Sequence, residues 1–119
     1  MTGRIVLIEE DPDIAALVEE MLRDTGHQVD VRVGIDDDTG DDEARVVITD
    51  LAALRSDADR AREWIGRVRT RFPRAKIVVL TAHARAAASG AEALGADAVL
   101  AKPFDVQVFI QTVESLLGG

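Results

Sequence analysis

The chain has 119 residues, enough for one domain with a modest core. Hydrophobic residues make up 47% of it, which excludes a disordered polymer, yet no apolar run approaches the roughly 20 residues needed to cross a bilayer. The formal net charge of −8 argues against direct nucleic-acid binding, and the absence of cysteine excludes disulfides, thiol catalysis and Cys-ligated zinc. Arg4 leads straight into a strand-like run followed by acids, with no signal-peptide pattern, so a cytoplasmic protein without a membrane segment is expected.

Arg4 to Ile8 is a continuous, β-branched apolar run, as in a central strand covered on both faces. Glu9-Glu10 ends it. Asp11 followed by Pro12 predicts a capped helix start, and Ile14, Leu17, Val18, Met21 and Leu22 fall on one helical stripe that stops at Gly26. Val29, Val31 and Val33 alternate with Asp30 and Arg32, predicting a half-exposed edge strand. Gly34 to Ala44 is dominated by acids, carries no helical stripe and reads as an acidic loop. Its Asp36-Asp37-Asp38 run matches neither a phosphatase signature nor a calcium loop.

Arg45 to Thr49 is the next buried strand, followed directly by Asp50. After a loop over Leu51 to Leu54, Ser56 or Asp57 caps a predicted helix that runs to Arg71. Its stripe is Ala61, Trp64 or Ile65, Val68 and Phe72, and five arginines lie on or beside its polar side. Pro73 breaks it. Lys76 to Leu80 is a buried strand ended by Thr81, and Arg85 to Leu94 is a helix stopped at Gly95. Ala98 to Ala101 is a short strand before Lys102-Pro103, and the last helix buries Val106, Phe109, Ile110, Val113 and Leu116. Strands joined by single-helix crossovers predict a doubly wound parallel α/β sheet. In such a sheet the polar residues that end the strands meet at one carboxyl edge. Here they are Glu9, Glu10 and Asp11, then Asp50, Thr81 and Lys102. An aspartate beside further carboxylates and a lysine suits a group that accepts a phosphoryl next to a divalent cation.

Four short motifs in this order carry a family resemblance: Glu9-Glu10-Asp11-Pro12, Val47-Ile48-Thr49-Asp50-Leu51, Val79-Leu80-Thr81-Ala82 and Lys102-Pro103-Phe104. Across residues 1–119 the chain resembles the receiver domain of bacterial response regulators. The resemblance implies a single flavodoxin-like domain with a five-stranded parallel sheet of order 2-1-3-4-5. It implies Asp50 as phospho-acceptor, Thr81 and Lys102 on phosphoryl oxygens, and Mg²⁺ held by Glu9, Glu10, Asp50 and the backbone carbonyl of Ala52. It also implies a cis Lys102–Pro103 bond, and a histidine kinase or histidine phosphotransfer protein as donor. A downstream protein of unknown identity would be the reader, at the face of the last strand, the last helix and the helix after Thr81. No substrate pocket beyond the acceptor is implied, so the chain is expected not to be an enzyme.

Several positions depart from the family pattern. Glu10 stands where aspartate is usual, Leu54 and Ala58 replace a proline and a glycine, and Val99 replaces a switching aromatic ring. The stretch between the second and third strands is short, so the second helix is expected to be reduced or absent. At the two positions that tune water access in the family stand Ala52 and His83. These departures motivate an alternative, a degenerate receiver serving as a phosphorylation-independent interaction module.

Overall fold

The computed structural model describes residues 4–32, 44–50, 58–81, 90–102 and 104–118. Five parallel strands, β1 (Arg4–Ile8), β2 (Gln28–Arg32), β3 (Val46–Asp50), β4 (Lys76–Thr81) and β5 (Ala98–Ala101), form one sheet of order β2-β1-β3-β4-β5. The expected architecture and strand order are therefore present. The three inner strands lack alternation because both their faces are covered. From Ile5 to Ile8, Val46 to Thr49 and Ile77 to Thr81, no residue is more than 4% exposed.

Side-chain parity then divides the core. Ile5, Leu7, Val46, Ile48, Val78 and Leu80 point to one face. There they pack on α1 (Pro12–Asp24) through Ala15, Val18 and Leu22, and on α4 (Val106–Gly118) through Phe109, Val113 and Leu117. Val6, Ile8, Val47, Ile77 and Val79 point to the other face. They pack on α2 (Ala58–Arg71) through Ala61, Ile65 and Val68, on the following Phe72, and on Leu94 of α3, whose described part is residues 90–94. Among the described residues, no helix is long and apolar enough to cross a membrane.

Carboxylates cap the starts of α1 and α4, whereas the expected cap at Ser56 or Asp57 lies outside the described residues. Asp11 accepts hydrogen bonds from the main-chain N–H groups of Asp13 (2.9 Å) and Ile14 (3.4 Å). Asp105 does the same for Gln107 (2.8 Å) and Val108 (3.1 Å). Gly26 and Gly95, which follow α1 and α3, have φ of 88° and 79°, a backbone conformation that favours glycine. At the far end of α4, the Arg45 guanidinium donates to the Leu117 carbonyl at 3.0 Å, satisfying an otherwise open C-terminal acceptor.

Of the two alternatives for the α2 stripe, Ile65 is the buried one and Trp64 sits at the rim, half-buried. Three details differ from the sequence expectation. Leu17 is 57% exposed, because Ala15 rather than Leu17 faces the sheet. In α4, Leu117 rather than Leu116 is fully covered, and Val106 is exposed. In β2 the alternation is inverted at its end: Val31 is exposed and Arg32 is only 2% exposed. Arg32 lies with its guanidinium 5.5 Å from the Phe72 ring centroid and donates to Asp30 through Nε and Nη2, at 3.0 and 2.8 Å. Its long side chain does the covering that a helix stripe would otherwise do. The acidic stretch, and with it the expectation of a reduced second helix, falls on residues 33–43, outside the described residues.

Candidate functional site

Parallel register brings the strand ends together. Ile8 is level with Thr49 and Asp50 is level with Leu80, so Glu9 and Asp50 leave adjacent strands side by side, and Thr81 lies one residue beyond. Thr81 in turn is level with Ala101, which places Lys102 at the same edge. Parity sends the Glu9 and Asp50 side chains to the α1/α4 side, in step with Leu7 and Ile48.

Three side chains converge there. The Lys102 ammonium lies 3.2 Å from Asp50 Oδ1 and 3.7 Å from Glu9 Oε2. Their side chains are 16% (Lys102), 9% (Asp50) and 2% (Glu9) exposed, so these charges are poorly screened by solvent. The Lys102 main-chain N–H donates to the Thr81 carbonyl at 2.7 Å, which anchors the lysine to the end of β4. Thr81 itself is fully buried.

Among the described residues, Glu9 has the most strongly shifted carboxyl. Its Oε1 accepts from the Asp11 N–H at 3.3 Å, but its buried Oε2 has no hydrogen-bond partner. Burial first, and then the neighbouring Asp50 charge, push its carboxyl from 4.5 up to about 7. The close approach of the Asp50 carboxyl adds to the rise, whereas the Asp11 N–H and Lys102 oppose it. Two carboxyl groups this close are relieved by a proton on one of them, or by a cation in its place.

A divalent cation fits this description. Glu9 Oε2, which makes no hydrogen bond, and the Asp50 carboxyl offer hard oxygen ligands from adjacent strands, and Mg²⁺ keeps several waters next to one or two carboxylates. Glu10 is exposed, and among the described residues no three acids or histidines cluster closely enough to hold a metal. Asp11 serves as the N-cap of α1. The Ala52 carbonyl, His83 and the Lys102–Pro103 bond lie outside the described residues.

No protein-family model matches the sequence, and no curated protein is similar to it at a significant level. Solved structures do match. A response regulator receiver protein from Burkholderia phymatum is 25% identical, with a TM-score of 0.73 over 98% of this chain and 96% of that one. A BeF3-activated DrrB receiver domain is also 25% identical, with a TM-score of 0.73 over the whole of both chains. The signal receiver domain of an HD domain-containing protein from Pseudomonas fluorescens Pf-5 is 15% identical but superposes with a TM-score of 0.78, over 99% of this chain and 96% of that one. This chain has the receiver-domain fold.

Within that receiver fold, one contact next to Asp50 was not legible in the sequence. The Trp64 indole N–H donates to the Thr49 hydroxyl at 2.9 Å, on the α2 side of the sheet. Parity alone places Thr49 on the same side as Val47, but nothing in a single sequence says which α2 residue meets it.

Proposed function

We propose that this chain is a phospho-accepting receiver of a two-component phosphorelay. Asp50 takes a phosphoryl group from the phosphohistidine of a histidine kinase or histidine phosphotransfer protein, in the cytoplasm, and the altered surface binds a downstream protein. The chain accepts one group and does not turn over a substrate. The observation that carries this reading is the contact of Lys102 with Asp50 at 3.2 Å, beside the buried Glu9 Oε2, which makes no hydrogen bond, at the carboxyl edge of a receiver fold.

An Asp50 oxygen forms the new O–P bond as the P–N bond to the donor imidazole breaks, and the departing nitrogen takes up a proton. Lys102 is in place to pair with the acceptor before transfer and with a phosphoryl oxygen after it, so little reorganisation is needed. Thr81, at the end of β4, would bond a phosphoryl oxygen, as the family resemblance implies. Glu9 and Asp50 would hold Mg²⁺, with Glu10 and the Ala52 carbonyl as the further ligands that the family resemblance implies. Bound Mg²⁺ supplies charge neutralisation on the phosphoryl oxygens.

The test is intact-protein mass after incubation with acetyl phosphate and Mg²⁺. Wild type is expected to gain one phosphoryl mass and Asp50→Ala none; equal behaviour of the two sinks the reading. The exposure of Glu10 favours a second reading, a phosphorylation-independent interaction module. That reading expects no mass gain, and a partner that binds wild type and Asp50→Ala equally.

A further inference from the structure

Thr49 is fully buried, and its hydroxyl bridges two elements. It accepts from the Trp64 indole of α2 at 2.9 Å and donates toward the Asp50 main-chain carbonyl at 3.4 Å. An indole N–H can only donate and a hydroxyl can do both, so the order of this relay is fixed by chemistry. The indole is held on its other side by Arg67, whose guanidinium lies 5.8 Å from the ring centroid. The carbonyl at the end of the relay belongs to the peptide by which the chain leaves β3. A hydrogen bond to this carbonyl restrains the backbone of Asp50 itself, and so the residue whose carboxylate meets Lys102.

We infer that Trp64 is a positioning residue for the acceptor site, acting through the Thr49 hydroxyl on the exit peptide of Asp50. This rests on Asp50 being the acceptor. A second consequence is that α2, on the opposite face from α1 and α4, is mechanically tied to the site, and that Trp64 reports on it. Trp64 is the only tryptophan in the chain, so its emission isolates this link.

The rate of phosphoryl mass gain with acetyl phosphate and Mg²⁺ tests the inference in wild type, Trp64→Phe, Thr49→Val, the double variant and Thr49→Ser. Trp64→Phe and Thr49→Val each break the relay while keeping most of the packed volume. Each is expected to slow the gain about three- to tenfold, the factor for one neutral hydrogen bond. The double variant is expected to be no slower than either single one, because both remove the same relay. Thr49→Ser, which keeps the hydroxyl, is expected to restore the wild-type rate. Independent, additive slowing, or no slowing in either single variant, overturns the inference. A thermal midpoint that falls equally in Thr49→Ser and Thr49→Val, with equal rates, would also overturn it by reducing the contact to packing. Absence of mass gain in wild type is a different result: it removes the acceptor reading itself, and this inference with it.

Discussion

Lys102 touches both Asp50 and Glu9, at 3.2 and 3.7 Å, and so offsets a repulsion that burial makes severe. Replacing it with alanine removes a preorganised positive charge from the place where phosphoryl charge would arrive. Lys102→Ala is therefore expected to slow mass gain from acetyl phosphate on the order of a hundredfold, as loss of one oxyanion-stabilising donor does elsewhere. A loss under threefold would show that Lys102 is a surface partner only. Asp50, Thr81 and Lys102 were legible because each follows an apolar strand-length run, and in a parallel sheet such residues must share an edge. What separated Glu9 from Glu10 was also written there, in the two-residue period. Glu9 is in step with Leu7 and Asp50 with Ile48, so these two face the same side, while Glu10 is out of step and exposed. The raised proton affinity of Glu9 was not legible, since it depends on burial depth and on a neighbour 41 positions away in sequence.

At the scale of elements, strand and helix order followed from periodicity, but the edges did not. Edge positions are decided by what happens to cover them, and β2 shows this: its Arg32 is buried against Phe72 while Val31 is exposed. Alternation alone assigned those two the other way round, because a hydropathy pattern treats arginine as a charge and ignores its apolar stem. Helix starts were more readable, since a cap is local chemistry. Asp11 accepts from two N–H groups of the first turn of α1, a role that competes with holding a cation. Asp11→Ala is expected to lower unfolding free energy by about 1 kcal/mol in denaturant titration. It is also expected to leave phosphoryl mass gain at the wild-type rate, because the contact with Glu9 comes from the main-chain N–H. A large loss of gain with unchanged stability would instead make Asp11 a member of the metal site.

The whole molecule carries the cost of assembling that site. A receiver-sized domain is held by roughly 5–15 kcal/mol, so one strained carboxyl is a visible fraction of its stability. Glu9 has its folded-state pKa raised from 4.5 to about 7. Below about pH 4.5 it is protonated in both states and contributes no difference. As pH rises from 4.5 to 7 the unfolded chain releases its proton while the folded chain keeps it, so folding loses stability across this window. Above about 7 the loss is complete and constant, at about 3 kcal/mol by the standard conversion of a pKa shift. Glu9→Gln keeps the shape without the ionisation. The stability of Glu9→Gln minus that of wild type, without metal, is therefore expected to grow between pH 5 and 7.5 and then level off. This difference cancels the titration of carboxylates that do not interact with Glu9. Mg²⁺ in excess is expected to shrink the difference at pH 8 by binding ionised wild type, and to do little at pH 5, where the cation must displace a proton. Chemical denaturation of both proteins at pH 5, 6.5 and 8, with and without Mg²⁺, reads all of this directly. A pH-independent difference would mean that Glu9 is ionised throughout, with Lys102 compensating its burial. A Mg²⁺ response equal in both proteins would place the ion away from Glu9.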